Sequence, residues 1–240
     1  MKAMILVGGL GTRLRPLTFS IPKPLLPVGE KPILQIIIEQ MKSAGVEDIV
    51  LATGYQAELI RAFCGDGSKF RVNISYVHEQ KPLGTAGPLS LARQQFRDQE
   101  SILLMNGDIV TKLDLAEFIR AGTRSDCDLT VGYTKYIYRS PFGVLSIADD
   151  TVRAIAEKPS HEYSISAGIY CVRPKALDFV PEDTFFTMPD LMKKLISAGR
   201  RVGAYYIRDC WIGLESVEHF EEAIKELHKV PSEAGSTLEP

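Results

Sequence analysis

The residues best suited to chemistry lie near the amino terminus. Gly8-Gly9-Leu10-Gly11-Thr12-Arg13-Leu14-Arg15 is closed by Pro22-Lys23-Pro24-Leu25. The run begins where a short apolar segment, Lys2 to Val7, reads as a buried strand. Glycines at a strand's end let backbone N–H groups approach a ligand closely. Clustered N–H groups at the carboxyl end of a parallel strand form an anion cradle. Arg13, Arg15 and Lys23 add fixed positive donors, which suits a polyphosphate whose charge moves during reaction. The common phosphate loops do not fit. No Gly-Lys-Ser/Thr follows, and Leu14 stands where a dinucleotide fingerprint needs its third glycine.

Five further stretches could contact ligands. Glu79-Gln80-Lys81-Pro82-Leu83-Gly84-Thr85-Ala86-Gly87-Pro88 lies between a strand and a helix. Its small residues would let a flat base lie against backbone; alone, it reads rather as a helix cap with glycine for packing. Met105-Asn106-Gly107-Asp108 ends the most apolar strand. A carboxylate there faces the cleft above the first loop, and magnesium favours such oxygen ligands completed by phosphates and water. Phe142-Gly143-Val144, Glu157-Lys158-Pro159 and Ser166-Ala167-Gly168-Ile169-Tyr170 come later. A carboxylate can accept two hydroxyl hydrogens, and an ammonium is a point charge for phosphate.

These residues need a scaffold. Lys31-Pro32 opens a helix whose apolar face is Leu34, Ile37, Ile38 and Met41, ended by Gly45. Short apolar strands are expected at Asp48–Ala52, Val72–Val77 and Ile102–Met105. Helices are expected at Tyr55–Phe63 and from about Thr85 to Phe96. This alternation predicts an α/β fold, a doubly wound, mostly parallel, Rossmann-like sheet that binds ligands at the carboxyl ends of its strands. The second half reads as strands at Asp128–Tyr133, Gly143–Ile147, Val152–Ala156 and Ile169–Val172, with a hairpin turn at Ala148–Thr151. Helices are expected at Pro174–Phe179, Pro189–Ala198 and Ser216–Leu227. Thr187 to Asp190 has capping-box spacing. Val217, Phe220, Ile224 and Leu227 are read as the last helix's apolar face. The expected organisation is one domain over 1–230, with a core at 1–125 and a smaller lobe at 126–230. The polar tail, 231–240, is expected to be disordered.

Taken together, these segments resemble the signature of the sugar-1-phosphate nucleotidyltransferases, and Leu83 to Leu89 most resembles the mannose-1-phosphate guanylyltransferases among them. The resemblance implies nucleotide contacts from Leu6, Gly8, Gly9, Gly11, Thr12, Arg13, Gln80, Gly84, Thr85 and Gly107. It implies catalytic roles for Arg13, Lys23 and Asp108, with Asp108 on Mg²⁺. Gly143, Glu157, Lys158, Ser166 and Gly168 are implied to hold the sugar phosphate. The partners implied are a nucleoside triphosphate, most readily GTP, and a sugar 1-phosphate, in a homo-oligomer of two or more chains. One departure stands out. The family commonly shows Trp-hydrophobic-Asp-hydrophobic-Gly before its final helix, that Asp being a second metal ligand. Here Trp211-Ile212-Gly213-Leu214-Glu215 has glycine in its place. Asp209 or Glu215 could substitute, Asp108 could act with phosphates and water alone, or binding could persist without turnover. A uridylyl- or thymidylyltransferase and a regulatory paralogue therefore stay open beside the guanylyltransferase.

The totals agree with such a protein. The 240 residues carry 28 Lys and Arg against 30 Asp and Glu, a formal net charge of -2. That argues against bulk capture of nucleic acid. Cys64, Cys127, Cys171 and Cys210 form no C-x-x-C pair and read as free thiols in a reducing compartment. No apolar run is long enough to span a bilayer, and Met1-Lys2 leads straight into the first strand, so a cytoplasmic location is expected. His78, His161, His219 and His228 show no metal spacing and read as structural or solvated.

Overall fold

The first apolar run forms β1, Lys2–Leu6, in which Ala3, Met4 and Ile5 are shielded from solvent. The computed structural model describes residues 1–228, so the tail at 231–240 lies outside the described residues. Two very short strands, β2 (Pro27–Val28) and β3 (Lys31–Pro32), pair as a ribbon and lead into α1, Ile33–Ser43. Leu34, Ile37, Ile38 and Met41 are buried on α1, as their spacing predicts. Then come β4 (Asp48–Thr53), α2 (Ala57–Cys64) and β5 (Asn73–His78). The helix expected from Tyr55 starts at Ala57, because Gln56 takes a left-handed φ of 50°.

The helix expected from Thr85 to Phe96 is two short ones, α3 (Pro88–Leu91) and α4 (Arg93–Phe96), broken at Ala92. Thr85–Gly87 is instead a turn, in which Ala86 N and Gly87 N both donate to Phe186 O at 2.9 Å. β6 (Ile102–Asn106), β7 (Ile109–Thr111) and α5 (Leu115–Arg124) follow. α5 falls where no element is expected. Its start is fixed by the Asp114 carboxylate, which accepts from Glu117 N at 2.9 Å. Next are β8 (Leu129–Arg139), β9 (Val144–Ala148), β10 (Thr151–Ala156) and β11 (Ser160–Val172). Pro174–Phe179 is a 3₁₀ turn. α6 (Met188–Ser197), β12 (Val202–Tyr206), β13 (Trp211–Gly213) and α7 (Val217–His228) complete the described chain. On α7 the residues packed inward are Phe220, Ala223 and Ile224. Val217 and Leu227, expected on that face, are exposed.

The seven-stranded sheet has the order β12-β8-β11-β6-β1-β4-β5. All its strands run parallel except β11, which is antiparallel to both β6 and β8. Side chains alternate between its faces. Ala3, Ile5, Leu103 and Met105 pack with α1 and α5 on one side; Met4, Val50 and Leu104 pack toward α3, α4 and α6 on the other. Register matters most for the site. Leu6 at the end of β1 lies opposite Ala52 on β4 and Asn106 on β6. The glycine loop and the Asn106-Gly107-Asp108 turn therefore leave the sheet side by side at one edge.

β8 and β11 continue past the sheet, paired from Tyr133–Ser166 out to Arg139–Ser160, as a two-stranded arm. β9 and β10 form a hairpin between them, turned by Asp149 and Asp150 at φ 50° and 54°. Such left-handed turn residues match the twist of a hairpin.

Candidate active site

Two cavities open at that edge, of about 390 and about 490 Å³. They share one wall: Asn106, Asp108 and Glu215 line both. The first is floored by the glycine loop, with Leu6, Gly8, Gly9, Gly11, Thr12 and Arg13 in its lining. Gly11 has φ +60°, and a Cβ there would lie 2.8 Å from Thr18 Cγ2, so the loop's path excludes a side chain. Thr18 Oγ1 donates to Gly11 O at 2.8 Å and fixes that turn from below.

Lys23 arrives on a 3₁₀ turn, Lys23–Leu25, preset by Pro22 and Pro24. Leu26 anchors it in the core, and the Lys23 side chain is only 11% exposed. Its ammonium lies 2.5 Å from Asp108 Oδ2 and 3.6 Å from Glu215 Oε1. Arg13 pairs with the other oxygen of Glu215. Two carboxylates and two cations thus converge at the shared wall.

Glu215 is placed there by β13. That strand pairs with β7 so that Gly213 lies opposite Ile109, and Leu214 N donates to Asp108 O at 2.9 Å. Glu215 N donates to His219 Nδ1 at 3.1 Å. His219, expected to be structural or solvated, is structural here and holds this turn. Asp209 lines neither cavity; its charge acts on the Tyr205 hydroxyl together with Glu117 and Asp114. Of the two substitutes open for the absent aspartate, the geometry puts Glu215 at the site and Asp209 away from it. Among the described residues no group of three or more His, Cys, Asp or Glu could hold a metal. Two carboxylates are nevertheless a hard-oxygen donor set of the kind magnesium takes when phosphates and water complete its shell.

The upper rim of the first cavity is the loop after β5. Gly84 has φ +75°, and a Cβ there would meet Phe186 O at 2.8 Å. Thr85 also lines the cavity, and its hydroxyl accepts from Met188 N at 2.8 Å, tying the loop to the start of α6. That helix carries the expected capping box between Thr187 and Asp190. Gln80, expected to touch nucleotide, does not line the cavity; its neighbour Glu79 does. Glu79 Oε2 accepts from Leu83 N at 3.0 Å, and Oε1 lies against Gly8, where a Cβ would come within 2.5 Å. Burial pushes the Glu79 carboxyl above its ordinary range, with the Leu83 hydrogen bond and His78 pulling the other way.

The second cavity contains Ser166 and Gly168 of β11 with Trp211 and His219. Ser166 Oγ and Tyr170 Oη are 2.8 Å apart, and Trp211 Nε1 donates to Ala167 O at 2.8 Å. Asn106 Oδ1, at the shared wall, is buried without a hydrogen-bond partner. A buried acceptor left open beside two cavities points to a donor on a ligand or water. Sequence reasoning gave Asn106 no role beyond the end of its strand. Gly143 and Glu157 come together on the arm, where a Cβ on Gly143 would lie 3.2 Å from Glu157 Oε2. Neither they nor Lys158 line either cavity of their own chain.

Residues 2–230 match the family model described as nucleotidyl transferase. The chain belongs to the nucleotidyl transferase family. The chain is 42% identical over 185 residues to the probable mannose-1-phosphate guanylyltransferase 1 of Oryza sativa subsp. japonica, covering 74% of this chain and 51% of the relative. It is 39% identical over 183 residues to the mannose-1-phosphate guanylyltransferase catalytic subunit beta of Danio rerio, with the same coverage. The chain thus spans about half the length of the curated relatives it matches. Among solved structures, a Bacillus anthracis protein assigned as a glucose-1-phosphate thymidylyltransferase, in complex with a sucrose, superposes with TM-score 0.78 at 24% identity over 97% of each chain, a likeness of fold. HddC from Yersinia pseudotuberculosis complexed with GMP-PN superposes with TM-score 0.70 at 25% identity, covering 94% of this chain and 99% of that one. The chain's α/β sheet, parallel but for β11, matches the fold of these solved structures.

No disulfide joins the four cysteines, and Cys64, Cys127 and Cys171 are buried. Burial pushes the Cys64 thiol up to about 12, disfavouring its thiolate. Among the described residues no helix is long and apolar enough to cross a membrane.

Proposed function

We propose that this chain transfers a guanylyl group from GTP to a hexose 1-phosphate, most readily mannose 1-phosphate, releasing pyrophosphate. The observation that carries the reading is the shared wall. A triphosphate in the first cavity and a sugar phosphate in the second would meet across Asn106, Asp108 and Glu215. A phosphate oxygen of the sugar phosphate attacks the α-phosphorus. A new P–O bond forms, and the bond from the α-phosphorus to the β-bridging oxygen breaks. The attacking oxygen is already anionic at neutral pH, so no general base is needed. The difficulty is bringing two anions together, and positioning with charge stabilisation does most of the work.

The glycine-loop N–H groups, Arg13 and Lys23 hold the triphosphate and the departing pyrophosphate. Asp108 and Glu215 would hold Mg²⁺, which when bound supplies charge neutralisation at the phosphates. Ser166, with its hydroxyl on Tyr170, and the open Asn106 Oδ1 offer hydrogen bonds to sugar hydroxyls.

Glu79 accounts for the base. Guanine presents two adjacent donors, N1–H and N2–H, and a carboxylate accepts both. Adenine offers an acceptor at N1, and uracil and thymine offer one donor between two carbonyls. In the first cavity Glu79 is a carboxylate with one oxygen committed to Leu83 N. The relatives' names and the GMP-PN complex of HddC agree with guanine. The test is pyrophosphate release from each of GTP, ATP, UTP and dTTP, crossed with a panel of sugar 1-phosphates and Mg²⁺. The reading expects GTP with mannose 1-phosphate to lead. Turnover led by UTP or dTTP would move the base assignment, and saturable binding without turnover would replace it with a regulatory role.

A further inference from the structure

The arm is the part of the molecule that its own chain leaves uncovered. β12 leaves β8 at Tyr133 and β6 leaves β11 at Ile169, so the arm runs on unaccompanied for about 20 Å at the usual rise per residue. Among the described residues the hairpin at its end pairs only with itself, and register places Leu145 opposite Ile155 and Ile147 opposite Val152 on one face. Ile147 and Ile155 are 65% and 67% exposed. A contiguous apolar face of this kind marks an interaction surface.

Two observations say what covers it. The second cavity is poor in positive charge. Among the described residues its one Lys or Arg is Lys135, already paired with Glu162 at 2.8 Å; Glu222 lines it too, and Lys23 and Arg13 are taken up by Asp108 and Glu215 at the shared wall. A dianionic sugar phosphate needs a cation there. The arm carries one: Lys158, exposed, without an ion-pair partner among the described residues, and held at a left-handed φ of 44° at the bend between β10 and β11. Such backbone is uncommon for lysine and concentrates where a side chain is aimed for a purpose. The chain also exposes a second apolar patch, Leu17, Phe19 and Ile21, within the segment joining Arg13 to Lys23 at the first cavity's edge. Arm and patch on one chain are the two halves of a self-complementary, two-fold interface.

We propose that two copies of this chain exchange arms, each hairpin packing its apolar face on the other body and bringing Lys158 to the other's second cavity. The Lys158 half of this rests on the sugar-phosphate reading above; the exchange itself does not.

Complementation tests it. Asp108→Asn removes function from the body and Lys158→Ala from the arm, and each alone is expected to lose most turnover. Co-expressed with two different tags and purified through both, the mixed dimer has one site built from an intact body and an intact arm. It should recover about half the wild-type turnover per dimer, as two-fold exchange requires. If the arm serves its own chain, neither site is whole and turnover stays near that of the single variants, which overturns the proposal. A fully active Lys158→Ala chain overturns it too. Sedimentation decides independently of any activity. The wild type should run as a dimer and the Ile147→Lys, Ile155→Lys variant as a monomer with unchanged circular dichroism. A monomeric wild type, or a variant that stays dimeric, contradicts arm exchange even if the wild type turns over no nucleotide.

Discussion

Lys23 is the residue on which the two carboxylates of the shared wall converge, and its near-burial means water cannot replace it cheaply. Removing one preorganised donor to a developing charge costs roughly 3–4 kcal/mol of barrier, or two to three orders of magnitude in rate. Lys23→Ala and Arg13→Ala should each lose about that much turnover while circular dichroism and melting stay close to wild type. The replacement of the family's aspartate makes a sharper pair. Glu215→Gln should raise the Mg²⁺ concentration needed for half-maximal turnover, whereas Asp209→Asn should leave it unchanged. An effect at Asp209 with none at Glu215 would reverse the assignment. At Glu79 function and stability pull apart. Glu79→Gln should lower the preference for GTP over the other nucleotides by about ten- to a hundredfold, as loss of a hydrogen bond to a charged group does. Because burial raises the Glu79 pKa in the folded state, its ionisation opposes folding increasingly as pH rises through that raised value. The Gln variant should therefore melt higher than wild type at neutral pH, with the difference vanishing in acid. Melting curves at several pH values read this directly.

At the scale of elements, the sequence shows most clearly what local chemistry fixes. The glycine loop, α1 and the Thr187–Asp190 capping box are each set by residues within a turn of one another, and each is found where its spacing places it. Thr187→Ala should cost about 1 kcal/mol by loss of that cap, measured by denaturant unfolding. What the sequence hides depends on distant contacts. α5 buries only Leu115, Phe118 and Gly122, too thin a stripe to read, and its cap is a lone Asp114. β8 and β11 extend beyond their expected ends because their outer halves are polar and pair with each other rather than with a core. Asp128, read only as a strand's first residue, is a buried carboxylate 2.7 Å from both Lys175 and Arg200. Burial raises its pKa, but those two cations outweigh it and hold the carboxyl below the usual range. Its stabilising charge is present above the ordinary carboxylate pKa and lost as pH falls through the lowered one. Asp128→Asn should cost about 2–3 kcal/mol at neutral pH, toward the low end because both partners reach solvent, and progressively less in acid.

At the scale of the molecule, the parallel core and the edge at which ligands gather follow from alternating strands and helices, because register alone brings Leu6, Ala52 and Asn106 level. Asp108 and Lys23 could be foreseen as partners in one pocket. Glu215 over Asp209 could not, since the choice depends on Gly213 lying in the β13–β7 ladder. Glu79 over Gln80 follows from which of two neighbours faces Gly8 at the end of β5, which spacing does not reveal. The arm's motif residues were legible by resemblance, but their distance from both cavities of their own chain was not. The account as a whole depends on two ligands meeting at one wall. A crystal structure with GDP-mannose bound tests that most directly: the account places guanine against Glu79, the diphosphate across Lys23, Asp108 and Glu215, and the sugar beside Ser166 and Asn106. A product lying wholly within one cavity, or a diphosphate away from Asp108, would contradict it.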